Sequence, residues 1–395
     1  MRVIDADSEA AVADAISGGI PLEIIGSGSK LCLGRPVSAD LQLSLAGLTG
    51  ITLFEPNELV MSVRAATRLA DIEALLATEG QTLAFEPPDL SRLLGVAAGG
   101  QTLGGIVASN LSGPRRAVAG GVRDHVLGMR AVNGRGEIFR AGGRVVKNVT
   151  GFDLCKLLTG SYGTLAVFTE VTIKLLPAAE TEVTLALADL GPQAAVTVMC
   201  RAMGSSAGIS GAAWLPDQRG GSLTALRLEG FAPSVEARKQ RLLGILGGTR
   251  EAQLWSETAS RVWWRDLRDV APLAGDSERA IWKISLAATQ APALLESLKT
   301  LGDARALLDW GGALMWLSLP CQSDAQASSL RRLLPAGAHA MLVKAPAAVR
   351  AGVPVFHPLP PAQAMLEERV RHSFDPHLVL NPGRRAAAPP GEGEC

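Results

Sequence analysis

Residues 99–177 restrict the folding options of this chain more than any other part of it. Glycines occur there in pairs, at Gly99-Gly100, Gly104-Gly105, Gly120-Gly121 and Gly142-Gly143, separated by short apolar pieces. Paired glycines let the backbone approach a ligand closely and admit positive φ, so successive N–H groups can converge on an anion. One such pair would mark a turn between strands. Four pairs, interleaved with Thr102, Ala108, Ser109, Asn110 and Ser112, point to a cradle around an extended, phosphate-bearing molecule.

A second small-residue loop lies upstream. The short strand 21–25 runs into Gly26-Ser27-Gly28-Ser29-Lys30, an arrangement suited to phosphate. It is not the dinucleotide fingerprint, because the third glycine of G-x-G-x-x-G would fall on Leu31, and no G-K-[ST] follows for a nucleotide P-loop. Around these loops the pattern predicts a Ser8-capped helix over 8–17, strands at 40–45, 51–54 and 59–63, and a helix over 68–78. A rigid turn at 85–89 and a short helix over 102–110 follow. A hairpin over 126–139 turns at Asn133-Gly134. Asn148 and Asp153 read as turn or helix caps, and Arg123 as a partner of Asp124 or of another core acid. Alternation of Leu165, Val167, Thr169, Val171, Ile173 and Leu175 with their neighbours predicts a half-buried strand, ended by Pro177.

The texture changes after 180. Strand-like runs at 182–188, 223–228, 280–287, 304–309, 313–319 and 339–343 are separated by helix-like runs at 193–203, 235–246, 257–268, 291–301 and 325–333. That alternation suits an antiparallel sheet backed by helices. No internal repeat is apparent. Five tryptophans (Trp255, Trp263, Trp264, Trp282 and Trp310) fall in this middle part and none precedes Trp214, which marks a boundary; Trp255, Trp263 and Trp264 are expected in its core. A helix is expected over 361–371 and a disordered tail over 386–395, where AAAPPGEGEC follows Arg385. The expected division is 1–178, 179–360, 361–385 returning to the first part, and the tail.

Several classes are excluded or disfavoured by composition. Lysine plus arginine equals aspartate plus glutamate at 38 each, so nothing favours nucleic acid. The five cysteines (Cys32, Cys155, Cys200, Cys321 and Cys395) include no C-x-x-C pair, which removes the common iron–sulfur and zinc spacings; no metal site is expected. The N-terminus MRVIDADSEAAV is acidic where a signal peptide is basic, and no apolar run has a spanning helix's length. A cytoplasmic protein is expected, held at a membrane only through partners.

The motifs TLGGIVASNLSGPRR, VRDHVLGMRAV, GGRVVKNVTGFDLCKLLTGSYGTLAVFTEVTIKLLP, DWGGA at 309–313 and FDPHLVLNPGR near the C-terminus resemble those of vanillyl-alcohol-oxidase-type (PCMH-type) FAD-binding flavoproteins. Within that superfamily they are most similar to the FAD-binding E subunits of bacterial glycolate oxidase. The resemblance implies an α+β fold: a two-lobed PCMH-type FAD-binding domain plus a smaller ferredoxin-like antiparallel-sheet cap domain. It implies that Ile25, Gly26, Ser27, Gly28, Ser29 and Lys30 wrap the FAD pyrophosphate. Pro88, Gly99, Gly100, Thr102, Gly104, Gly105, Ser109 and Asn110 would line the pyrophosphate and ribityl chain. Gly160, Ser161, Gly163, Thr164 and Val167 would lie by the flavin or adenine, and Asn381 would return to the isoalloxazine edge.

Two departures shape the functional expectation. Residues 24–33 hold no histidine of the kind that tethers FAD in some relatives, so the FAD is expected to be non-covalent. The five histidines (His125, His339, His357, His372 and His377) form no H-x-H or H-x-x-x-H pair, which argues against a catalytic metal or proton-abstracting cluster; no catalytic residue is assigned. The leading expectation is a flavin-bearing subunit of a glycolate oxidase complex. A homologous FAD-linked subunit would oxidise glycolate to glyoxylate, and an iron–sulfur subunit would take the electrons. A stand-alone 2-hydroxy-acid dehydrogenase, using Arg64, Arg265, Lys283 or Lys344 on a carboxylate, stays open, as does a structural subunit without redox-active flavin.

Overall fold

Short strands build two main sheets from the first part of the chain, with Gln81–Thr82 and Leu176–Pro177 paired as a small third. The computed structural model describes residues 2–144, 151–216, 221–247 and 252–386; the expected cap at Asn148 and the tail from 387 onward lie outside the described residues. Arg2–Asp5, Leu41–Ser44 and Leu22–Ile25 form a parallel three-stranded sheet in that order. Helix Glu9–Ser17 makes the crossover, capped by Ser8, whose Oγ accepts from the Ala11 N–H. It buries Val12 and Ile16 against Leu22 and Leu43. The strand Arg2–Asp5 carries no pattern in the sequence that distinguishes it, being mostly exposed.

The second lobe is an antiparallel five-stranded sheet ordered Ile51–Glu55, Val60–Arg64, Ala166–Lys174, Val126–Asn133 and Ile138–Gly142. Its central strand, Ala166–Lys174, departs from the half-buried expectation: Glu170 and Lys174 are its only partly exposed residues. The register slips where Arg130 faces Glu170 but Ala131 faces Phe168, leaving Thr169 as an extra residue. A bulge of this kind reverses which parity faces which side. Ala166 and Phe168 therefore share the main core with Val171 and Ile173, while Val167 points into the core of the first lobe.

Residues 181–344 form one eight-stranded antiparallel sheet made of two similar units. In the first unit the strands are Thr181–Ala188, Gly211–Pro216, Ser222–Gly230 and Gln253–Trp255, with helices Pro192–Met203 and Ala232–Leu246 as crossovers. In the second they are Arg279–Ser285, Arg305–Asp309, Leu314–Pro320 and His339–Lys344, with helices Ala291–Leu298 and Ala327–Leu333. Each unit is β-α-β-β-α-β with its strands in the ferredoxin-like order fourth, first, third, second. The two second strands meet edge to edge at Trp214 and Leu308. The chain thus contains a structural repeat, where no internal repeat was apparent in its residues.

One face of this sheet is covered by the four crossover helices around Trp282, Leu226 and Leu317. The other face brings Ala213, Ala225, Ile281, Leu307 and Trp316 into the main core of the N-terminal lobes. Helix Glu257–Arg268 lies on that inner side, and Trp264 is buried at the seam rather than inside the middle domain alone. The C-terminal segment then returns to the first lobe. Helix Pro361–Phe374 buries none of its residues, but beyond it Leu380 bridges Leu22 in parallel. The Asp375 carboxylate accepts the Val379 and Leu380 N–H groups.

Candidate functional site

The loop 26–30 leaves the end of strand Leu22–Ile25 and meets the glycine-rich stretch 100–105 across a groove. The close approach depends on small residues. A Cβ on Gly26 would lie 3.0 Å from Thr102 Oγ1, and one on Gly100 would touch Ser27 at 4.0 Å. Thr102 caps helix Leu103–Ser109 by accepting from the Gly105 N–H at 3.3 Å. Gly104 packs its backbone on strand-end residue Ala65, where an added Cβ would sit 2.7 Å from the carbonyl oxygen.

The groove is long and open to solvent, lined from loop 26–31 through residues 102–109 to residues 162–168 and the C-terminal segment. Of the expected residues, Ile25, Gly26, Ser27, Gly28, Ser29, Lys30, Thr102, Gly104, Gly105, Ser109, Gly163, Val167 and Asn381 line it. Ala65, Ala66, Phe168 and Arg384 do so too: Phe168 and Arg384 lie within the quoted motifs but were not expected at the site, and Ala65 and Ala66 fall between the expected strand 59–63 and helix 68–78. Asn381 clamps the groove's far wall. Its Oδ1 accepts from the Ile24 N–H and its Nδ2 donates to the Tyr162 carbonyl, both at 2.8 Å.

The remaining expected residues lie elsewhere. Pro88 is buried, Gly99 is exposed with its N–H directed to Asp89 at 3.4 Å, and Gly100 sits at the rim. Asn110 ends its helix in the left-handed conformation against Gly160. Gly160, Ser161 and Thr164 face a second cavity, between the loop 160–165 and helix Pro361–Phe374. The loop is a partition, with Tyr162 and Gly163 on the first groove and their neighbours on the second.

The charged residues suggested for a carboxylate do not converge on the groove. Arg64 and Arg265 are exposed, and the Lys344 ammonium donates to the Asp276 carbonyl at 2.7 Å. Lys283 lies under the middle sheet, its Nζ 5.4 Å from the Trp310 ring centre and 5.8 Å from that of Trp316, and burial pulls it down to about 8. His125 Nε2 donates to the Ala119 carbonyl at 2.9 Å while its ring packs on Phe85, and His377 is exposed. Asp124 caps the Gly121 N–H, and Asp153 caps Lys156. No group of three or more metal-ligating side chains occurs among the described residues.

A network of buried charges joins the two halves behind the groove. Arg227 of the middle sheet donates to both Glu86 oxygens, at 2.8 and 3.0 Å, and lies over the Trp264 ring. Arg115 donates to Glu229, and its backbone N–H donates to Glu86. These bonds fix the turn 85–89, whose Asp89 reaches Gly99 on one side and accepts nothing from Asp269; instead its N–H donates to Asp269 Oδ1 at 2.8 Å. The sequence gives no hint of this network, because its members are scattered over more than a hundred residues.

The donor set fits FAD: a groove walled by glycines, hydroxyls and backbone amides, with one lysine at its edge. The family profile described as FAD binding domain matches residues 4–142. Glycolate oxidase subunit GlcE of Escherichia coli (strain K12) is 35% identical over 377 residues, covering 95% of both chains. Glycolate oxidase subunit GlcD of Bacillus subtilis (strain 168) is 35% identical over 167 residues, 42% of this chain and 34% of that one. Among solved structures, 4-ethylphenol oxidase from Gulosibacter chungangensis superimposes with a TM-score of 0.71 at 14% identity, over 98% of this chain and 89% of that one. That likeness establishes the fold.

Proposed function

The chain belongs to the family of glycolate oxidase subunit GlcE, FAD-dependent oxidoreductases of PCMH-type fold, and from this premise we propose that it is the FAD-binding subunit of a glycolate oxidase complex. The observation that carries the reading is the groove where loop 26–30 faces residues 100–105, in a chain similar to GlcE from end to end. Oriented amides and small residues suit a diphosphate that must be held without rearrangement. FAD bound there supplies two-electron oxidation chemistry.

The FAD is held non-covalently, since loop 26–30 offers glycine, serine and lysine but no histidine. Glycolate is oxidised to glyoxylate on a homologous FAD-linked subunit, and an iron–sulfur subunit accepts the electrons. Among the described residues no histidine lines the groove, and Arg64, Arg265, Lys283 and Lys344 lie away from it, which supports placing substrate chemistry on the partner. The complex works in the cytoplasm, at a membrane only through its partners.

Co-expression with the neighbouring subunits, followed by purification and counting of flavin and iron per chain, tests the proposal. The expected result is a yellow chain that co-purifies with an iron-containing partner and turns over glycolate poorly alone. Robust glycolate turnover by the isolated chain, or a colourless chain in an active complex, overturns it.

A further inference from the structure

Resting on the reading that the groove takes FAD, we propose that the Lys30 ammonium is the counter-charge of the cofactor's diphosphate, and that cofactor loading is coupled to protonation of Lys30. Lys30 and Arg384 are the only charged side chains lining the groove among the described residues. Arg384 is engaged: its Nη1 donates to the Leu31 and Leu33 carbonyls at 2.9 and 3.1 Å, and its Nη2 donates to Glu23 at 2.8 Å. Lys30 has a single long bond, from Nζ to Gln101 Oε1 at 3.4 Å. A Cβ on Gly105 would lie 3.9 Å from that Nζ, so the ammonium hangs over the second glycine pair and beside loop 26–29.

A half-buried ammonium with no close anion is an unfavourable arrangement unless a ligand brings one. Desolvation pulls Lys30 down to about 8, and Asp89 in the turn 85–89 is the charged group that partly restores it. From the C-terminal side the facing charges are Arg384 and its partner Glu23. A diphosphate beside Nζ favours the charged form and raises the lysine back toward its ordinary value. Binding then takes up a proton wherever the free lysine is deprotonated and the bound one is not. The affinity for FAD is therefore full below about pH 8 and falls about tenfold per pH unit above it.

The test measures FAD affinity by quenching of flavin fluorescence from about pH 7 to about pH 9.5, with ADP as a competitor carrying a diphosphate but no flavin. The wild-type chain is expected to weaken about fivefold between about pH 8 and about pH 9 toward both molecules. Lys30→Met is expected to bind both at least about tenfold more weakly at neutral pH, with a flat profile. Lys30→Arg, which stays charged throughout, is expected to keep the affinity and lose the slope. A wild-type slope retained in Lys30→Met, or a slope seen with FAD and not with ADP, overturns the assignment while leaving the groove as the FAD site. Failure of the wild-type chain to bind FAD at all overturns the reading of the groove itself.

Discussion

Gly104 stands inside helix Leu103–Ser109, where alanine is ordinarily preferred over glycine by about 1 kcal/mol. Here the sign reverses, because the new methyl would lie 2.7 Å from the Ala65 carbonyl oxygen and 2.9 Å from the Ala65 Cβ. Both belong to a segment fixed in the main core, so neither yields cheaply. Gly104→Ala is expected to destabilise the fold by about 1–3 kcal/mol, read as a lower urea midpoint. Gly105→Ala is the control: its Cβ meets flexible atoms, Thr102 Oγ1 at 3.3 Å and Lys30 Cδ at 3.5 Å, so folding stability should change little. Asn381 adds a second residue-scale prediction. Its backbone sits at φ +45°, which glycine tolerates, so Asn381→Gly removes the clamp on Ile24 and Tyr162 without straining the chain. Loss of those bonds is expected to cost about 1–3 kcal/mol in denaturant unfolding.

At the scale of elements, the turn 85–89 and the strand Ser222–Gly230 are locked by Glu86 and Arg227. The Arg227 side chain is 2% exposed, so a variant that neutralises Glu86 leaves a buried guanidinium short of its partner. Glu86→Gln is expected to cost about 3–5 kcal/mol, and Arg227→Met in the same chain should recover part of it, as a double-mutant cycle in urea would measure. Nothing in the order of residues announces this lock, because Glu86 sits in a proline turn and Arg227 in an otherwise apolar strand. Local signals were readable where the physics is local. Ser8 and Asp153 cap the helices expected of them, and helices Glu257–Arg268 and Pro192–Met203 match their periodic runs. Strand Gly211–Pro216 escaped notice because Gly211, Ala212 and Ala213 carry no bulky alternation, and the bulge at Thr169 hides beneath an unbroken period of two. The repeat of the middle sheet also lives in strand order, which depends on pairing between distant segments rather than on shared residues. For the groove, the glycines and hydroxyls of the two loops were visible, whereas the wall residues Ala65 and Phe168 are chosen by tertiary packing.

For the molecule as a whole, the seam between the middle sheet and the N-terminal lobes makes stability depend on pH in two opposed ways. Glu229, between Arg227 and Arg115, is pulled down to about 2 by these cations in spite of its burial. A carboxylate depressed in the folded state contributes stability that is present above its unfolded value near 4.3 and lost as pH falls toward about 2. Asp309 behaves in reverse. It is buried beneath the sheet, where its Oδ1 accepts from the Trp310 N–H at 2.6 Å, and Trp310 in turn ties the sheet to Gly113 through Nε1 at 2.9 Å. Desolvation raises it to about 7, aided by Glu86 and opposed by the Trp310 N–H, Arg227 and Lys283. A carboxyl raised in the folded state favours folding fully below about pH 4, and that advantage is lost as pH rises through about 7. Asparagine at 309 keeps an acceptor for the Trp310 N–H but has no charge to bury. Asp309→Asn is therefore expected to match the wild-type unfolding free energy near pH 4 and exceed it by on the order of 2–4 kcal/mol near pH 7.5. Urea unfolding at the two pH values checks this. A variant less stable than wild type near pH 7.5 would mean that the ionised Asp309 is held by its neighbouring cations strongly enough to outweigh its desolvation, and that the seam is tightened rather than loosened as the pH rises.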